Sequence, residues 1–199
     1  MKHRHFQCIA AALVLAMLFS LVACGKNMSE VPLESLPENY SLEDARRDGC
    51  LVLENGSVTA GEKSFSAFLE KCERGEAAVL RVAKYYTLGD PSRYEKSYYE
   101  SIKDEYPELF VHEVRFDGTS YQVTYYENGT RYGGTYAYLK HYAGEAESPY
   151  ATYSHYDRYV LVNEEDVTWE TMMSRVVSSH SDVASRADFF EVCGKLTYK

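Results

Sequence analysis

The sequence predicts an α+β domain behind a cleaved signal peptide: an antiparallel sheet with helices packed on one face. Three observations lead there. A short apolar run opens the chain and ends within its first 25 residues. The middle of the chain alternates apolar and polar residues in segments joined by short turns such as Asp117-Gly118. Segments with helical periodicity lie before and after that middle, which is the order of an α+β domain rather than of alternating β-α units.

The N-terminus reads as an address. Lys2, His3, Arg4 and His5 form a positive start, and the uncharged stretch Ile9 to Val22 follows. Its length suits the apolar region of a signal peptide, about 7–15 residues, better than the roughly 20 of a membrane span. The uncharged run reaches at most from Phe6 to Gly25, so length alone leaves an uncleaved anchor open. The segment ends in Leu21-Val22-Ala23-Cys24-Gly25, which resembles the lipobox of bacterial lipoproteins. That resemblance implies lipidation of the Cys24 thiol, removal of residues 1–23, and a bilayer partner held through the acyl chains, two of which anchor stably where one does not. Residues 24–40 then read as a lipidated spacer containing Pro32 and Pro37, and residues 41–199 as a single extracytoplasmic domain.

Within that domain the elements follow in order. Ser41 and Asp44 resemble a capping box that opens a helix ending at Gly49. Cys50 to Leu53 is a short buried strand, turned by Glu54-Asn55-Gly56-Ser57. Phe65, Phe68, Leu69 and Cys72 share one face of a helix from about Glu62 to Arg74, stopped by Gly75. Ala78 to Thr87 is a strand broken by Gly89-Asp90-Pro91, and Ser92 to Glu105 is a polar helix. Phe110, His112, Val114 and Phe116 alternate on one strand, and Tyr121, Val123 and Tyr125 on its return. A second turn at Glu127 to Thr130 leads to a strand over Thr135 to Tyr142, a loop over Gly144 to Ser154 and a strand over Tyr156 to Val162. Trp169, Met172, Met173, Val176 and Val177 mark an amphipathic helix over about Asp166 to His180, and the tail from Phe189 has strand character.

Charge narrows the partners. Lys2 and Arg4 leave with the signal, so the mature chain holds 19 basic against 30 acidic residues, net −11. That argues against nucleic acid and against anionic lipid as a docking surface, both of which need a basic footprint. Of five cysteines, Cys8 leaves and Cys24 takes the lipid. Cys50, Cys72 and Cys193 permit one disulfide at most, with Cys50–Cys72 the expected pair because it would tie the first strand to the next helix. Three buried thiols are the alternative.

The run Asp48-Gly49-Cys50-Leu51-Val52, the strand Leu80-Arg81-Val82 leading to Tyr86-Thr87-Leu88-Gly89-Asp90-Pro91, and the later Asn128-Gly129-Thr130-Arg131-Tyr132-Gly133-Gly134 carry a resemblance. Their order is similar to that of the domain of unknown function 4362, found in Firmicute lipoproteins, over roughly Ser41 to Tyr142. In that family the Gly-Asp-Pro segment runs almost directly into a strand. Here the Tyr-rich segment Ser92 to Glu108 is inserted, and the Trp169 helix lies beyond the resemblance. The family carries no established activity, so the resemblance implies localisation and fold more than chemistry.

Candidate sites are correspondingly few. Arg81, Asp90 and Arg131 would line a polar pocket for an anionic or zwitterionic ligand if the fold brings them together. Otherwise Arg81 pairs with a carboxylate and Arg131 is solvated. There are 19 tyrosines against one tryptophan. Tyr136, Tyr138 and Tyr142 alternate with Lys140 on one strand face, and Tyr121 and Tyr125 on another, so they suit either a recognition surface for sugars or peptides or ordinary cross-strand packing. His141 and His155 would approach each other across neighbouring strands, but the chain has no zinc-type spacing, so no metal and no cofactor is expected. His112, on an apolar face, is expected to be half-buried and hydrogen-bonded. No Gly-x-Ser-x-Gly elbow exists, and a free cysteine with His180 as base has nothing to fix its geometry. The expectation is a non-catalytic recognition domain for an envelope peptide, a glycan or a surface protein. The alternatives are an envelope hydrolase or metal-dependent enzyme, and a structural or stress-associated lipoprotein.

Overall fold

The computed structural model describes residues 31–146, 153–176 and 188–198. Local sequence signals set the first half. The Ser41 hydroxyl accepts from the Asp44 amide while the Asp44 carboxylate receives the Ser41 amide, so a capping box starts α1 (Leu42–Arg47). Gly49, at φ +75°, turns the chain into β1 (Leu51–Glu54). Asn55 and Gly56 both take positive φ, which joins β1 to β2 (Ser57–Ala60), a short and mostly exposed strand that the alternation had not revealed. Then α2 (Glu62–Glu73) ends at Gly75, as its periodicity predicts.

The remaining elements are β3 (Ala78–Tyr86), α3 (Lys96–Ile102), β4 (Glu108–Phe116), β5 (Tyr121–Glu127), β6 (Thr130–Tyr136), β7 (Tyr138–Glu145), β8 (Tyr153–Val162), α4 (Trp169–Val176) and β9 (Phe189–Tyr198). The polar helix expected over Ser92 to Glu105 is confined to α3 with a 3-10 turn on either side. The far end of the helix expected to reach His180, and much of the loop expected over Gly144 to Ser154, lie outside the described residues.

The class is α+β, with antiparallel pairing throughout except between β1 and β3, which run parallel. Where one continuous strand was expected over Thr135 to Tyr142, the chain changes sheets at Ala137. The strands accordingly form a six-stranded sheet, β2-β1-β3-β4-β5-β6, and a three-stranded sheet, β7-β8-β9. The break has a packing reason. Tyr136 faces the main core beside Tyr121, whereas Tyr138, two residues later, packs against a separate cluster of Val160, Val162, Trp169 and Met172.

Three clusters hold the layers together. The inner face of the large sheet (Leu80, Val82, Val114, Val123) meets Phe68 of α2 and Leu161, Val192 and Cys193 of the small sheet. Phe65 of α2 meets Tyr159 of β8 edge-on, centroids 4.9 Å apart. On the outer face, Ala45 of α1 closes over Cys50, Val52 and Ala83. The far side of the small sheet is covered by Trp169 and Met172 of α4. A bulge in β9 opposite Tyr159 and Val160 accompanies the burial of consecutive Val192 and Cys193.

Candidate functional site

The outer face of the large sheet is crossed by a strap, residues 31–40, that the sequence assigns to a spacer. Its apolar residues pin it. Leu33 is buried, and Tyr40 packs with Leu42 and Leu109 around Cys50 and Val52. Polar contacts add to this. Arg81 Nη2 donates to the Val31 carbonyl, and the Tyr40 hydroxyl donates to Asp48 at 3.0 Å. Burial, together with Cys50 and Asp48 beside it, pushes the Tyr40 phenol well above its ordinary range. The strap is therefore part of the fold, because a segment with Leu33, Leu36 and Tyr40 loses apolar burial if it lifts away.

Between strap and sheet lies a cleft of about 480 Å³. Leu33, Leu36 and Pro37 form one wall, and Leu109, Val111 and Tyr126 the other. Glu34 and Glu38 are the charged residues of the lining, and the Tyr126 hydroxyl reaches the Glu34 carboxylate at 3.5 Å. An apolar floor with an acidic rim suits an apolar group carrying positive charge. A larger hollow of about 600 Å³ lies between α2 and the β3–β4 end. There, however, Asp117 is committed to the amides of Thr119 and Ser120, both at 2.8 Å, and Arg115 to Glu113 at 2.8 Å, so two of the three charged residues of its lining, Lys71 being the third, already have partners.

Arg81, Asp90 and Arg131 do not converge, which corrects the expected pocket. Arg81 is 5 % exposed under the strap and pairs with Glu113 at 3.3 Å, the carboxylate partner that the sequence left as the alternative. Its Nε and Nη1 are buried with no hydrogen-bond partner. Asp90 caps a turn by accepting from the Ser92 amide at 2.9 Å. Arg131 shares the outer face but lies on β6, exposed, reaching the Thr124 hydroxyl at 3.3 Å.

The tyrosines expected on one surface are likewise divided. Tyr136 is buried in the core, where burial chiefly pushes its phenol up to about 12. Tyr138 lies half-buried beside α4 with the Lys140 ammonium 5.1 Å from its ring centre, and the Tyr142 hydroxyl donates to the Val167 carbonyl at 2.8 Å. Most of this aromatic area is packing, because the strand break turns the two halves of the stretch toward different clusters.

Cys50 and Cys72 do not pair. They belong to clusters on opposite faces of the sheet, and Cys50, Cys72 and Cys193 are all free thiols. Burial pushes each thiol up, Cys193 to about 12. His141 does not meet His155. It stacks on Tyr159 at 4.3 Å and pairs with Asp157 at 2.8 Å, while His155 lies 3.1 Å from the Ser154 hydroxyl. Among the described residues no three His, Cys, Asp or Glu are placed to hold a metal. His112 is half-buried as expected, but its Nδ1 is buried without a hydrogen-bond partner, and the ring lies against Tyr125 and Phe190. His180 and Cys24 lie outside the described residues.

The cleft was missed because its walls come from segments about 70 residues apart. The one available signal was the spacing of Leu33, Leu36 and Tyr40 inside an otherwise polar stretch. Comparison with family models, with curated proteins and with solved structures found no match.

Proposed function

We propose that this chain is a lipoprotein anchored outside the cytoplasmic membrane through Cys24, and that its domain binds a ligand without transforming it. The strap cleft is the binding site. The cleft carries the reading: a preformed apolar trough, acid-rimmed, built where the chain emerges from the proposed tether. The Leu21-Val22-Ala23-Cys24 resemblance to a lipobox and the resemblance of Ser41 to Tyr142 to domain of unknown function 4362 support the location. Among the described residues no helix is long and apolar enough to cross a membrane. Two acyl chains on Cys24 would anchor the chain stably. Burial, with the Glu191 and Asp157 carboxylates nearby, holds the Cys193 thiol up and so protonated, which favours binding over nucleophilic chemistry.

The ligand class that fits is an envelope peptide presenting apolar and basic side chains. Two labelled peptides, one of Leu and Lys and one of Leu and Glu, test this by fluorescence anisotropy. The Leu–Lys peptide should bind saturably, and Glu34→Gln with Glu38→Gln should weaken it roughly three- to tenfold. Val111→Trp, which fills the trough, should abolish it. Equal binding of both peptides, or binding indifferent to Val111→Trp, would overturn the site. The anchor is tested separately: Cys24→Ser should lose palmitate labelling and leave the membrane fraction, and retention there at mature size refutes it.

A further inference from the structure

We propose that β6 is a self-complementary edge along which two copies of this chain pair, antiparallel, about a two-fold axis through Gly133. Edge strands are usually blunted by brevity, proline, lysine or a covering element. At the opposite edge of the large sheet, β2 has only four residues and lies against β9. By contrast, β6 has seven residues, Thr-Arg-Tyr-Gly-Gly-Thr-Tyr, with neither proline nor lysine, and Thr130 to Gly133 and Thr135 are exposed.

The direction of its free hydrogen-bonding groups follows from the hairpin. Asn128 at φ +49° and Gly129 at φ +74° form a two-residue turn with both central residues at positive φ, closed by the pair Glu127 and Thr130. That closing pair is hydrogen-bonded, and bonded pairs alternate along the ladder. Thr130, Tyr132, Gly134 and Tyr136 therefore direct their main-chain groups to β5. Arg131, Gly133 and Thr135 direct theirs outward.

Placing a second copy about Gly133 sets Arg131 opposite Thr135, Gly133 opposite its own counterpart, and Tyr132 opposite Gly134. All three outward residues then find partners, giving about six main-chain hydrogen bonds. No like charges oppose each other, since Arg131 is the one charged residue of β6. Tyr132, 45 % exposed, falls beside the side-chain-free Gly134, over which the Tyr136 ring of the same copy already lies. Aromatic cover of an edge glycine is a recognised stabilising device in sheets. Glycine is also required at 133, where a Cβ would come 2.0 Å from the Val123 carbonyl oxygen. A closed two-fold pairing uses up both edges and so stops at the dimer. Confinement to a bilayer plane would raise the effective concentration, but the register itself needs no membrane.

The register can be read by cross-linking the full chain in detergent micelles. An Arg131→Cys chain mixed with a Thr135→Cys chain should form a disulfide-linked dimer at least tenfold more than either variant alone, because only the mixture places two cysteines in one bonded pair. Either variant alone reports any linkage through the natural cysteines. By sedimentation, wild type should be dimeric, Thr135→Arg monomeric, and Thr135→Arg with Arg131→Glu dimeric again, since Arg then faces Glu. A wild type that stays monomeric and uncross-linked overturns the proposal. So does cross-linking equal in all samples, or a dimer indifferent to Thr135→Arg.

Discussion

Arg81 and Glu113 face each other across β3 and β4, 3.3 Å apart, with side chains only 4 % and 13 % exposed. Glu113 also serves Arg115 at 2.8 Å, and Arg81 also holds the Val31 carbonyl of the strap. One ion pair thus joins the sheet to the segment that walls the cleft. Removing one partner of a buried pair leaves an uncompensated charge, whereas removing both does not. Glu113→Gln should therefore cost about 3 kcal/mol in urea unfolding. Glu113→Gln with Arg81→Met should cost less than Glu113→Gln alone. A double variant as unstable as the sum of the two single ones would show that the pair is not coupled.

Gly61 starts α2 at φ +83°, and a Cβ there would lie 2.0 Å from the Cys50 carbonyl oxygen. Gly56 has a similar φ of +84° with nothing within 4 Å of its would-be Cβ. The two positions separate backbone strain from collision. Gly56→Ala should cost about 1 kcal/mol, and Gly61→Ala at least about 3 kcal/mol, by thermal or urea unfolding. Equal costs would mean that the α2–β1 approach relaxes freely.

Stability should fall as the solution becomes mildly acidic. Burial, with the Lys84 ammonium nearby, lowers His112 from its ordinary 6.5 to about 4. The unfolded chain therefore takes up a proton below about pH 6.5 that the folded chain refuses until about pH 4. The loss grows across that window, to roughly 3 kcal/mol for a shift of this size. The ring is packed by Tyr125 and Phe190, with Lys84 over the Phe190 ring at 4.6 Å, so the charge that acts on the imidazole is a cation and opposes protonation. Comparing wild type with His112→Phe by urea unfolding at pH 7 and pH 4.5 checks this. The variant should lose distinctly less stability on acidification, and parallel losses would remove His112 as the cause.

Cys50, Cys72 and Cys193 should react slowly with an aromatic disulfide reagent in the native chain and fully in urea. Each thiol is buried or half-buried, and burial holds its pKa up. The denatured count should be the same with and without prior reduction. A lower unreduced count would show a bridge.

The sequence by itself determined what depends on near neighbours. The Ser41–Asp44 capping box, the positive-φ turns at Asn55-Gly56 and Asn128-Gly129, the helical face of Phe65, Phe68, Leu69 and Cys72, and the alternation in β4 and β5 all depend on residues within a few positions of each other. Together they sufficed for the α+β class. Tertiary structure alone decided which faces meet. Cys50 and Cys72 fall on opposite sides of one sheet, Tyr136 and Tyr138 part at Ala137 into different cores, and Leu33 and Tyr40 fold back over β1 and β4 to make a cleft from what reads as a spacer. Periodicity assigns a residue to a face of its own element. It does not say which distant element will cover that face, because that choice is made by burial summed over contacts far apart in the chain.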